Sequence, residues 1–305
     1  MSAAFSRAYE RKIKVAERKN FRAANTIYME GFEKATELLL TTANLNNVEL
    51  MPEQNLFNAK MFDDLFNNIY VNTGLEFALW YQRTFEKFIK KGEGFTDIWT
   101  NAFTVMGARS AGEAVTSIQG TAKKAFVSNI KGLMSDPDFV ALGTPEKARI
   151  LRRGGYWKKE AAWMAKRVAR TESNSAANYA LEVSAKSMFP TTPLLKQWLT
   201  VMDGRERDTH QAANGQTRKE HEFFDVGGVK LKRPGARETA IGDSKAIASE
   251  VINCRCRAQF FPDPEAVELD IGGFQSDLLF DMSLVGLSLM GEEDLSLPEE
   301  EDLFN

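Results

Sequence analysis

Apolar residues recur at helical spacing through the first two thirds of the chain and at strand spacing only after Pro193. Phe5, Tyr9 and Ile13 share one helical face, and Ala24, Tyr28, Phe32, Ala35 and Leu39 continue a stripe. One long helix is therefore expected over 4–40. The Asn-rich stretch and proline of 44–52 break it. A second helix is expected over 53–70 and a third over 74–90, with Phe77, Tyr81, Phe85 and Phe88 on one side and Gly92-Glu93-Gly94 as a stop. Two further helices are expected over 96–107 and 110–134. Ser135-Asp136-Pro137-Asp138 reads as a turn and a domain boundary. Thr144 is expected to cap a short helix with Pro145 in its first turn. Trp157, Ala161, Met164 and Val168 then mark a long helix over 157–186, ended by Pro190 and Pro193.

After Pro193 the period shortens. Residues 196–202 read as a strand, Asp203-Gly204 as a turn, and 205–213 as a short helix stopped by Asn214-Gly215. Phe223–Val226 and Val229–Leu231 flank Gly227-Gly228 as a hairpin. Residues 244–250 form a helical turn and 254–261 a final strand. The expected class is α+β. A mostly α-helical N-terminal region (1–135) precedes a small α+β domain with a short sheet and hairpin (136–262), and an acidic tail (263–305) follows.

Charge changes this picture. The 305 residues carry 39 Lys and Arg against 42 Asp and Glu, a net charge of −3. The tail from Asp263 holds 13 of the acids and no Lys or Arg, so the body before it is strongly basic. Arg7, Arg11, Lys12, Lys14, Arg18, Lys19 and Arg22 crowd the first helix and are candidates to face DNA or an acidic protein surface, or simply a solvated face. The tail mixes acids with apolar clusters that would order on a partner. No apolar run is long enough to span a membrane and no secretion signal opens the chain, so no membrane anchor is expected.

The scarce residues fall together. Both histidines and both cysteines, His210, His221, Cys254 and Cys256, lie between Lys196 and Pro262. A disulfide between positions i and i+2 is strained, which implies a reducing compartment such as a cytosol. On a strand both thiols would face one site, and His210 with His221, or Asp203 in place of one, would complete a four-ligand zinc set. The plainer reading makes the cysteines small buried hydrophobes. A Cys–His nucleophile pair is a further option, but the thiols lack a helix N-terminus to activate them. Asp203, Arg205, Arg207 and Asp208 crowd the bend, where Asp203 either pairs with arginine or caps the helix. No P-loop, GxSxG, HExxH or dinucleotide fingerprint is present.

Trp198, Asp203, Arg205, Arg207, His210, Gly215, Phe223 and Pro234, followed by Asn253-Cys254-Arg255-Cys256, resemble the pattern of the phage head morphogenesis proteins related to Mu protein F. Arg170-Thr171-Glu172 and Asn178 resemble the helix preceding that pattern. The likeness spans 157–262. It implies a minor capsid protein of a tailed bacteriophage, placed inside the virion head near the portal vertex after assembly in the host cytoplasm. It implies the portal protein, other capsid proteins and packaged DNA as partners. On this reading the chain is not an enzyme, it assists head assembly with DNA packaging or ejection, and zinc is its one candidate cofactor. The rival readings are a zinc- or cysteine-dependent effector carried in the virion, and a nucleic-acid-binding module.

Overall fold

The computed structural model describes residues 3–41, 45–50, 57–85, 94–153 and 155–268. Helix α1 spans Ala3–Thr41 without a break, as its apolar stripe requires. A 3₁₀ turn, Leu45–Leu50, follows. The expected helix start at Glu53, the Phe88 end of the third helix, Gly92-Glu93 and the tail from Leu269 onward lie outside the described residues.

Where four helices were expected over 53–134, the described residues form two long ones: α2 (Ala59–Thr84) and α3 (Thr96–Met134). The glycines beside the expected divisions, Gly74 and Gly107, are close-packing sites. A Cβ on Gly74 would lie 2.6 Å from the Phe103 ring, and one on Gly107 would lie 2.9 Å from the Asn67 backbone. Glycine here lets α2 and α3 pack close together, at the modest cost of its low helix propensity. Helix α4 (Pro137–Ala141) is capped by Asp136, and α5 spans Thr144–Leu151. Gly143 rather than Thr144 occupies the capping position of α5, with no side-chain bond, because Thr144 is already helical.

Helix α6 (Lys158–Met188) is the strut of the molecule. Every residue from Thr171 to Asn178 is buried. The side chains of that run are mostly small, so α1 and α2 pack directly along it. Its polar groups find partners across the packing: Asn20 donates to Ser173 Oγ (2.8 Å), Tyr9 to Asn174 Oδ1 (2.9 Å) and Tyr70 to Ser175 Oγ (2.9 Å). This satisfies groups whose burial would otherwise cost free energy. One aromatic core stacks Phe32 on Trp157 at 4.9 Å. A second joins Tyr9, Phe77 and Trp99 to Leu181 of α6 and Phe260 of the sheet.

The rest is an α+β unit on that strut. Strand β1 (Leu194–Leu199) is followed by α7 (Asp208–Ala213), β2 (Thr217–Lys219), β3 (Phe224–Val226), β4 (Val229–Leu231), α8 (Ser244–Val251), β5 (Arg257–Pro262) and α9 (Pro264–Glu268). β1 runs antiparallel between β2 and β5, with Gln197 opposite Thr217 and Trp198 opposite Ala258. The hairpin β3–β4 turns on Gly227 and Gly228, both at positive φ (57° and 82°), as a two-residue turn requires. β2, a polar Thr-Arg-Lys edge, carries no alternation to announce it. The short helix begins at Asp208 rather than Arg205, and β5 begins at Arg257, beyond both cysteines. No helix among the described residues is long and apolar enough to cross a membrane.

Candidate metal centre

β1 ends against α7 through a set of hydrogen bonds that places His210. Gly215 N donates to Trp198 O (2.8 Å), and Thr200 N to Asn214 Oδ1 (2.9 Å). Thr200 Oγ1 donates to His210 O (2.7 Å), and the imidazole meets the buried Trp198 ring edge-on at 5.8 Å. His210 Nε2 lies 3.0 Å from Glu250 Oε2 on α8. That carboxylate accepts from Nε2–H and orients the ring. Nδ1 points at the two thiols, 3.2 Å from Cys256 Sγ and 3.8 Å from Cys254 Sγ.

The thiols reach that point through a turn, not along a strand as the sequence suggested. Asn253 adopts a left-handed conformation (φ 58°), and Cys254 N donates back to Val251 O (3.2 Å). The chain curls so that Cys256 N approaches Cys254 Sγ (3.4 Å). Helix α6 clamps the curl. Asn253 N donates to Thr171 Oγ1 (3.0 Å), while Asn174 and Asn178 both donate to Cys256 O (3.0 and 3.1 Å). Asn178 Oδ1 accepts from Ala258 N (2.7 Å) and starts β5 in register.

His210, Cys254 and Cys256 are each 2 % exposed, and their ligand atoms lie within 4.8 Å of one another. The thiols are free. The neighbouring Cys254 thiol first, and His210 after it, pull the Cys256 thiol down to about 5 against the effect of burial. The Cys256 thiol and burial push Cys254 up. Two buried thiols, one of them lowered, and an imidazole whose outer nitrogen is fixed by a carboxylate make the donor set of a zinc site. These residues fit zinc.

The sequence-derived ligand set therefore needs two corrections. His221 sits in the exposed turn after β2, outside the cluster, and its carbonyl accepts from Lys232. Asp203 is occupied elsewhere: Arg255 grips both its oxygens (2.5 and 2.9 Å) and Arg205 donates to one (2.7 Å). Those guanidinium bonds, the one from Arg255 foremost, hold its carboxyl well below the usual range. Asp203 is a strap between the bend and the thiol turn, not a helix cap. Arg207 donates to Ile252 O (2.5 Å) and ties the same two segments. Gly215 takes a positive φ (84°) where α7 turns into β2.

Sequence reasoning missed Glu250, Thr200, Asn174 and Tyr9. Glu250 stands on the last turn of α8, 40 residues beyond His210, and no spacing links them. Asn174 and Asn178 left a legible signal: two amides four residues apart within a run of small, buried residues.

A cavity of about 820 Å³ opens beside the cluster, with Cys256 and His210 in its wall. Glu10, Ile13, Lys14, Glu17 and Arg18 of α1 line another wall at helical spacing. Of the basic residues singled out on α1, only Lys14 and Arg18 reach this cavity. Lys12 lies 3.9 Å from Glu76, and Arg7, Arg11, Lys19 and Arg22 are exposed. Burial pushes the Glu17 carboxyl up to about 7, with Arg170 at 3.9 Å pulling the other way.

The expectation of a purely structural chain is overturned by this arrangement. Three metal-ligating side chains, buried together in the wall of an open cavity, form a centre equipped for chemistry. A scan against protein-family models, a search of curated proteins and a search of solved structures each return no match for this chain.

Proposed function

We propose that the chain is a zinc-dependent protein whose reaction centre is His210, Cys254 and Cys256. The observation that carries this reading is the convergence of three buried ligand atoms on one point, with Glu250 orienting the imidazole from behind. Three protein ligands leave one position of a four-coordinate ion to a group from the cavity, the pattern of catalytic rather than closed structural sites. Bound zinc supplies a Lewis acid for hydrolytic chemistry at that position. The protein's own part is to hold the donors rigidly: Thr200, Trp198 and Glu250 fix His210, and Asn174 and Asn178 fix the thiol turn. Metal analysis of the purified full chain tests this. One zinc per chain, lost in Cys256→Ala and His210→Ala variants that keep native circular dichroism, is the expected result. A metal-free protein whose melt ignores chelator overturns it.

A second reading concerns where this centre works. The residues resembling the Mu protein F relatives meet around it: Trp198 against His210, Asp203 bound to Arg255, Arg207 bound to the segment before Asn253. On that support we propose a minor head protein carried in the virion near the portal vertex, with the portal protein, other capsid proteins and packaged DNA as partners. Co-purification with the portal protein of the same phage tests it, and absence of the chain from purified particles overturns it.

A further inference from the structure

We infer that the cavity beside His210 and Cys256 binds a phosphate group, gripped by Lys14 and Arg18 of α1 and Arg170 of α6. This names the substrate class of the proposed zinc centre. It rests on that reading for its chemical meaning, but not for anion binding itself.

Cations outnumber acids in the wall of this cavity. Six cationic side chains line the cavity: Lys14, Arg18, Arg170, Arg205, Arg207 and Arg255. Four acids line it too, which leaves the cations in excess even with Asp203 answering part of the wall's own charge. Asp203 serves Arg255 and Arg205. Glu10 accepts from Arg257 (3.2 Å), which is not part of the wall. Glu206 accepts from Asp203 N (3.1 Å). The fourth, Glu17, lies 3.9 Å from Arg170, and burial leaves its carboxyl only partly charged near neutral pH. Among the described residues, neither Lys14 nor Arg18 has a carboxylate at ion-pair distance. Arg170 Nε is buried and has no hydrogen-bond partner. Arg207 donates to Ile252 O and, among the described residues, has no carboxylate at ion-pair distance.

Positive charge concentrated in a concavity draws anions, because low-dielectric walls focus its field. A buried donor without a partner costs free energy that a ligand oxygen recovers. The donors come from three separate segments, α1, α6 and the bend before α7. A carboxylate offers two coplanar oxygens and is satisfied by one guanidinium fork, whereas a phosphate offers oxygens in several directions and a second charge. The volume, about 820 Å³, falls within the ~300–1,000 Å³ of small-molecule sites. It accommodates a phosphate ester with its organic group.

Titration calorimetry on the full chain with inorganic phosphate tests this, with acetate at matched ionic strength as comparator and zinc content measured on the same samples. The expected result is saturable phosphate binding, absent for acetate, weakened about tenfold or more in Arg18→Gln. Lys19→Gln, an exposed cation of the same helix outside the cavity wall, leaves it unchanged. Phosphate binding that is absent, matched by acetate, or equally affected by both variants overturns the inference. Phosphate binding to a zinc-free chain supports the anion site while removing the metal reading. Zinc without phosphate binding does the reverse.

Discussion

Replacing Asn178 with alanine removes one of the groups that join the thiol turn to the central helix, and the one that also starts β5. Its side chain is fully buried, accepts from Ala258 N at 2.7 Å and donates to Cys256 O at 3.1 Å. In Asn178→Ala the Ala258 N–H loses its partner, in a residue with no solvent exposure. An orphaned buried donor costs about 1–3 kcal/mol. Cys256 O keeps its bond from Asn174 and Tyr9 keeps Asn174 Oδ1, so neither is stranded. The void left by the amide adds about 1 kcal/mol, while alanine's better helix propensity returns about 0.5 kcal/mol. The net loss is about 1.5–3.5 kcal/mol, a large share of a stability of about 5–15 kcal/mol. Urea denaturation with and without chelator measures it. Asn178→Asp separates the two halves of the amide. It keeps the acceptor for Ala258 but sets a carboxylate oxygen against the Cys256 carbonyl, so its deficit shrinks as acid restores a donor. A loss below about 0.5 kcal/mol in Asn178→Ala, or an aspartate variant insensitive to pH, would refute this clamp.

Three further outcomes follow from the same geometry. A Cβ at Gly227 would overlap Glu250 Oε1, so Gly227→Ala should swing Glu250 off His210 and weaken zinc affinity by about 10–100-fold; competition with a chromophoric chelator reads this. Glu17 has a raised carboxyl pKa, so its contribution to stability is fully present below the unfolded value near 4.3 and is lost as pH rises through about 7. Glu17→Gln should therefore gain in melting temperature relative to the parent between pH 5 and 8 and show no gain at pH 4. Asp203 has a depressed pKa, so its stabilisation is present above the ordinary value near 3.9 and is lost as pH falls further. Asp203→Asn should lose about 1 kcal/mol at pH 7 and far less in acid, as followed by denaturant melts at each pH.

The long helices and the hairpin were legible because apolar stripes and Gly-Gly turns are local signals. The splits expected near Gly74 and Gly107 failed for a tertiary reason: those glycines admit a neighbouring helix, which sequence alone cannot distinguish from a stop. The metal centre was half legible. The scarcity of His and Cys marked His210, Cys254 and Cys256, but strand logic gave the wrong cause for their approach, since the left-handed Asn253 does the turning. His221 was included only because histidines are rare here. Asp203 was rightly tied to arginine as one of two options, and its role as ligand falls because Arg255 occupies both oxygens. Glu250, Thr200 and the α1 face of the cavity were invisible because their link to the site is purely spatial.

X-ray absorption at the zinc edge on the purified chain reads the ligand set itself. The expected result is a four-coordinate ion with two sulfurs at about 2.3 Å, one imidazole nitrogen at about 2.0–2.1 Å and one oxygen or exogenous ligand, reduced to one sulfur in Cys256→Ser. A shell without sulfur, or a protein that takes up no zinc under reducing conditions, would contradict it.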